Sequence, residues 1–139
     1  MKAGRLLHSE LSAVIARMGH GDSLVIGDAG LPIPHGPVRI DLALTRGIPS
    51  FLATLETVLD ELRIERVILA EEIEARNPEQ LAGIEAILAG YRVRTGASVE
   101  IVRVPHDELK RRTAGAVAAV RTGECTPYAN AILCSGVVF

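Results

Sequence analysis

Histidine gives and takes protons near neutrality because its ordinary pKa, about 6.5, lies there. The chain has four: His8, His20, His35 and His106. His20 stands between Gly19 and Gly21, and Asp28 between Gly27 and Ala29, so small neighbours let a ligand come close to the backbone at both places. His20 is either a proton-transfer residue or a surface residue at a helix end. Asp28 is either a ligand-orienting carboxylate or a turn residue bonded to nearby N–H groups. His106 follows Pro105 and precedes Asp107 and Glu108. It either lies at a helix cap, where Asp107 is the better capping residue, or brings a second imidazole into the cleft of His20. The contexts of His8 and His35 assign them no role.

The run Arg121 to Asn130 is the densest polar stretch between two apolar ones. Tyr128 offers a ring and a hydroxyl, and Asn130 a donor and an acceptor. That chemistry suits a polyhydroxylated ligand, although a plain loop turning at Pro127 fits the pattern too. Other chemistries fit less well. His20, Asp28 and His106 form no short-range metal-ligand motif such as His-Glu-x-x-His. Gly27-Asp28-Ala29-Gly30 lacks the glycine spacing and the Lys-Ser/Thr pair of phosphate loops. No Gly-x-Ser-x-Gly elbow occurs, and Cys134-Ser135-Gly136 has no evident base partner. No metal and no cofactor are expected.

Lys and Arg total 15 against 17 Asp and Glu, a net charge of −2, so the basic excess of a nucleic-acid binder is missing. The only cysteines are Cys125 and Cys134, too few for a disulfide framework, which points to a reducing compartment. His8, Ser9 and Glu10 break the apolar positions near the N-terminus, and no uninterrupted apolar run approaches the length of a spanning helix. With 48% apolar residues but only two Tyr, two Phe and no Trp, the core must come from Leu, Ile, Val and Ala.

The positioning elements follow from periodicity. Leu11, Val14, Ile15 and Met18 lie at helical spacing in a segment that Ser9 can cap and Gly19 can end. Leu24 to Ile26 is a short strand with Asp28 at its carboxyl end. Pro32, Pro34 and Pro37 stiffen the loop before a partly exposed strand, Val38 to Leu42. Phe51, Leu55, Val58, Leu59 and Leu62 mark a second helix, and Val67 to Ala70 a buried strand ending at Glu71 and Glu72. Asn77-Pro78 opens a third helix running to Gly90. Val99 to Val104 is a strand, followed by a short charged helix through Lys110. Ala114 to Val120 is ambiguous, and Ala131 to Phe139 is β-prone. This alternation predicts one α/β domain over residues 1–139: three layers, a mostly parallel sheet with helices on both faces, Rossmann-like without a dinucleotide motif. Ligands in such folds sit beyond the carboxyl ends of strands.

Nearly end to end, the chain resembles the bacterial D-ribose pyranase family, relatives of the fucose mutarotases. The resemblance is carried by Gly19-His20, Asp28-Ala29-Gly30-Leu31-Pro32, Ile40-Asp41-Leu42, Gly47-Ile48-Pro49, Ile73 with Asn77, and Arg121-Thr122-Gly123-Glu124 through Thr126-Pro127-Tyr128-Ala129-Asn130 to Gly136 and Phe139. It implies that His20 is the catalytic acid/base, that Asp28 and His106 contact the sugar, and that Tyr128, Ala129 and Asn130 are a binding segment supplied by a neighbouring subunit. It also implies a cytoplasmic homodecamer of two stacked pentamers, without cofactor, that interconverts ribopyranose and ribofuranose ahead of phosphorylation. A mutarotase for another sugar such as fucose and a non-catalytic sugar-binding module are the alternatives.

Overall fold

The computed structural model describes residues 1–139. In chain order the elements are α1 (Ser9–Arg17), β1 (Ser23–Gly27), β2 (Val38–Asp41), α2 (Phe51–Leu59), β3 (Ile64–Ala70), α3 (Ile73–Arg76), α4 (Pro78–Thr95), β4 (Glu100–Val104), α5 (His106–Thr113), β5 (Ala118–Arg121) and β6 (Ala131–Ser135). The strands form a six-stranded sheet in the order β2-β5-β1-β6-β3-β4. β1 with β5, β2 with β5, and β3 with β4 pair parallel. β6 lies between β1 and β3 and runs antiparallel to both. The mostly parallel sheet expected from the alternation is therefore present, with one reversed strand near its centre.

Successive strand residues point to opposite faces, and the buried residues divide accordingly. Leu24 and Ile26 of β1, Val67 and Leu69 of β3, and Leu133 of β6 pack with Leu11, Phe51, Leu55, Ile84 and Leu88 from α1, α2 and α4. Val25, Ile68 and Ile132 point the other way, onto Leu109 of α5 with Leu31 and Ala116. A sheet buried on both faces reads in sequence as nearly continuous apolar runs, as the central strands do here.

The element boundaries differ from the periodicity reading at points with local causes. His8, not Ser9, caps α1: its Nδ1 accepts from Leu11 N–H at 3.2 Å. Gly90 does not end α4, which runs on to Thr95 and stops at Gly96, whose φ of 67° is the left-handed cap. Asp107 caps nothing at its predicted place; α5 begins at His106 and Glu72 takes the His106 N–H. The ambiguous alanine-rich run contributes most of β5, which pairs parallel with both β2 and β1 and buries Ala118, Ala119 and Val120.

The start of β3 is fastened to α4 by a buried phenol. Tyr91 Oη accepts from Ile64 N–H at 2.9 Å and donates to Leu62 O at 3.2 Å. Tyr91→Phe keeps the ring and orphans both backbone groups, so we expect urea denaturation to show a loss of about 1–3 kcal/mol with an unchanged m-value.

Candidate active site

Asp28 is the first residue beyond the carboxyl end of β1, and Asn130 is the last before β6. Because β6 runs antiparallel to β1, these two residues meet. The Asp28 N–H donates to Asn130 Oδ1 at 2.9 Å, and Asn130 Nδ2 donates to Asp28 Oδ2 at 2.8 Å. Asp28 Oδ1 accepts from Gly30 N–H at 2.9 Å, closing the turn. Gly27 makes the approach possible, since a Cβ there would stand 2.5 Å from Leu31 Cδ2 and 3.2 Å from Asn130 Oδ1. Asn130 and Ala129 have no exposed surface in this chain. The Asn130 amide thus serves Asp28, and half-buried Tyr128 is the residue of this segment that keeps exposed surface.

Tyr128 has a φ of 59°, a left-handed conformation unusual for a residue with a Cβ. Asn130 N–H donates to its carbonyl at 2.9 Å, and Asn77 Nδ2 donates to Pro127 O at 2.8 Å, so hydrogen bonds hold the strained turn from both sides. Its ring meets His106 edge to face, with 5.1 Å between centroids and 88° between planes. His106 opens α5, and its N–H donates to both oxygens of Glu72 at 3.0 Å. His106 Nδ1 is buried with no hydrogen-bond partner, so Nε2 is the nitrogen left for a ligand.

His20 lies elsewhere. It precedes β1, at the amino ends of the parallel strands, with about 17 Å of strand between it and Asp28. Its Nε2 is 3.0 Å from Glu65 Oε2 at the start of β3, and the two side chains are 59% and 44% exposed. The structure therefore brings Asp28, His106, Tyr128, Ala129 and Asn130 together within one chain and leaves His20 at the opposite end of the sheet. The sequence places His20 in one cleft with Asp28 and His106, and the family resemblance implies a Tyr128–Asn130 segment from a neighbouring subunit; within a single chain it is His20 that stands apart.

An open depression of about 350 Å³ beside this cluster is lined by Asp28, Ala29, Gly30, Glu124, Cys125, Thr126 and Pro127. Arg121 frames it: Nε donates to Ala29 O at 2.9 Å, and Nη1 reaches both Asp41 oxygens at 3.1 Å. Partial burial pushes the Asp41 carboxyl up, but the Ala43 N–H and the Arg121 guanidinium outweigh it and hold Asp41 below its ordinary value. The groove of about 290 Å³ between α2 and α4 is lined by Leu59, Ile87, Tyr91 and Arg94, with none of the chemistry gathered around Asp28.

The sequence pattern of the RbsD / FucU transport protein family matches residues 1–138. The chain belongs to this family. It is 48% identical, over the full length of both chains, to a D-ribose pyranase of Escherichia coli O1:K1 / APEC. A D-ribose pyranase of Klebsiella pneumoniae (strain 342) is 46% identical over the same span. Among solved structures of the RbsD / FucU type, Bacillus subtilis RbsD complexed with D-ribose superposes with a TM-score of 0.88 at 42% identity, covering all of both chains. The fucose mutarotase of Streptococcus pneumoniae in complex with L-fucose shares the fold, with a TM-score of 0.77 at 22% identity.

Glu65 beside His20 and Glu72 beneath His106 carried no sequence signal for those contacts, because each partner is distant in the chain. Glu124 stood in the polar stretch without an assigned task, and the structure buries it.

Two substitutions test this geometry. Asn130→Asp sets a second carboxylate 2.8 Å from Asp28. One of the pair must then hold its proton above the ordinary Asp value of about 3.9, so the variant is most stable below that value and loses stability as pH rises through the raised one. Urea midpoints should show this, with a deficit of about 2 kcal/mol or more at pH 7. Asp41 carries the opposite sign. Its depressed value makes a contribution present above about pH 3.9 and lost as pH falls through the folded value, so Asp41→Asn should flatten the acid limb of wild-type stability.

Proposed function

We propose that this chain is a D-ribose pyranase, interconverting β-D-ribopyranose and β-D-ribofuranose. The observation that carries the reading is full-length identity of 48% to a protein named for that activity, joined to a match of the whole fold to a ribose-bound relative. The reaction needs only proton transfers. A proton reaches the ring oxygen as the anomeric hydroxyl loses one, the ring opens to the aldehyde, and closure through the other hydroxyl reverses both steps. A positioned acid or base contributes about 10² to 10⁴-fold to such a step.

In this reading His20 is the proton donor. With Nε2–H donated to Glu65, Nδ1 faces the sugar; in the imidazolium, Nδ1–H goes to the departing ring oxygen while Glu65 balances the charge. Asp28, pinned by Asn130 and Gly30, accepts from sugar hydroxyls and orients the ring. His106 Nε2 and Tyr128 hold further hydroxyls, and the Tyr128 ring closes one wall. Ala129 and Asn130 support the segment from beneath.

His20 can act on a sugar held at Asp28 only if a second copy supplies it. We therefore propose a composite site between copies, with the amino end of one sheet facing the carboxyl end of the next. Exposed apolar groups lie at both ends: Leu44 and Ile48 beside the Asp28 end, and Val138 and Phe139 beyond β6 on the His20 side. Such a head-to-tail contact forms rings when its rotation closes. It supports the homodecamer of two pentameric rings that the family resemblance implies. No helix is long and apolar enough to cross a membrane; a cytoplasmic location belongs to the same proposal.

Saturation-transfer NMR of ribose exchange, with and without protein, tests the activity. We expect acceleration that falls at least about 100-fold in His20→Ala, while His106→Ala mainly weakens binding. Full exchange in His20→Ala would overturn the assignment of the donor. Mixing His20→Ala with Asp28→Asn under subunit exchange should restore about a quarter of wild-type activity, because hybrid interfaces rebuild intact sites. A site contained in one chain gives no recovery.

A further inference from the structure

We infer that Glu124 is a positioning residue of the sugar site: it locks together the two loops that carry Asp28 and Tyr128 while making no contact with the sugar itself. The inference rests on the pyranase reading for its ligand and on the hydrogen bonds of one buried carboxylate for its substance.

Glu124 is 6% exposed, and no basic side chain is bonded to it. A buried carboxylate without a cation is costly unless its lone pairs are taken up by donors. Here they are. Oε1 accepts from Cys125 N–H at 3.2 Å, Thr126 N–H at 3.1 Å and the Thr126 hydroxyl at 2.9 Å. Oε2 accepts from Gln80 Nε2 at 3.1 Å and from Phe51 N–H, at the first residue of α2, at 3.4 Å. A carboxylate offers about four lone-pair sites. All are used, leaving no acceptor for a sugar hydroxyl.

The contacts of the same residue reach both halves of the site. Its backbone carbonyl accepts from Ala29 N–H at 2.8 Å, which fixes the turn of Asp28. Thr126 passes the hold onward: its hydroxyl, donated to Glu124, accepts from Asn77 Nδ2 at 2.9 Å, and Asn77 also grips Pro127 O just before the strained Tyr128. Gly123 lets the backbone lie flat against the loop before α2, since a Cβ there would collide with the carbonyls of Thr45 and Ile48. Glu124 thus joins α2, α4 and both ligand-bearing loops at one point.

Ribose titration by calorimetry and ribose exchange by NMR, on the full-length assembled protein, test this with Glu124→Gln and Thr126→Val. An amide at position 124 has one acceptor oxygen in place of two, so one group of donors loses its partner. Thr126→Val removes the relay at an exposed residue and leaves the buried charge in place. We expect both variants to bind ribose more weakly, Glu124→Gln by about tenfold or more and Thr126→Val by a smaller factor, with KM moving more than kcat. A merely structural Glu124 would instead reduce the number of competent sites and leave the Kd of those remaining unchanged. That result, or wild-type affinity in a folded Glu124→Gln, overturns the inference. If Glu124→Gln does not fold, Thr126→Val decides: weakened binding supports the role and wild-type binding overturns it. A wild-type protein that binds ribose without accelerating exchange defeats the pyranase reading and leaves the positioning role to be judged on Kd; one that does not bind ribose defeats both.

Discussion

The direction of β6 is the constraint on which the arrangement depends. A sheet built only from parallel strands collects its loops with like ends together. Running β6 backwards between β1 and β3 makes one five-residue strand begin at the carboxyl end of its neighbours and finish at their amino end. Its beginning delivers Asn130 to Asp28. Its end delivers Ser135, whose hydroxyl bonds the Gly19 carbonyl, whose N–H donates to Asp22 O at 2.8 Å, and whose carbonyl accepts from Gly21 N–H at 3.0 Å. The loop that carries His20 and the loop that carries Asp28 are thus anchored by opposite ends of the same strand. Register follows from burial, because a slip of one residue would turn Leu133 and Ile132 to the wrong faces.

The two ends differ in kind. Around Asp28 the polar groups are tied down: a carboxylate pinned by an amide and a turn, an imidazole with one nitrogen buried and unpartnered, a strained tyrosine with hydrogen bonds at its own and the preceding carbonyl. His20 and Glu65 form the contrasting part, an exposed pair. An exposed ion pair contributes little to the stability of an isolated chain, about 0–1 kcal/mol. Its value would rise when a facing surface excludes water, since charge interactions strengthen as the local dielectric falls. A pair of this kind at the far end of the sheet becomes strongly oriented only when another surface covers it.

Much of the fold was legible because its signals are local. Asn77-Pro78 marks a helix start by capping and by the proline's fixed φ, and the apolar runs of β1, β3 and β6 mark strands buried on both faces. The alanine-rich β5 was not legible: alanine favours helix in isolation, and only backbone pairing with β2 on one edge and β1 on the other makes it a strand. Among site residues, His20 and Asp28 stood out through their flanking glycines. What pattern could not supply was distance. Eight positions apart in the sequence, they look like neighbours, yet the strand between them is fully extended. Nor could composition reveal that Asn130 spends its amide on Asp28, or that Glu124 gathers donors from α2, α4 and its own loop, because those partners lie up to 102 positions away.

The opposed ends also bear on assembly. If each site needs the His20 end of one copy and the Asp28 end of another, and the copies stack head to tail, the contact is heterologous, and an open row leaves one half-site unused at either end. Closing the row into a ring completes every site at once and covers the apolar groups at both ends of every sheet. A two-fold pair completes its two sites only when the copies lie side by side in opposite directions, so that each His20 end meets the other copy's Asp28 end across about 17 Å of strand. Either arrangement uses the reversal of β6, which holds the two loops at opposite edges of the sheet.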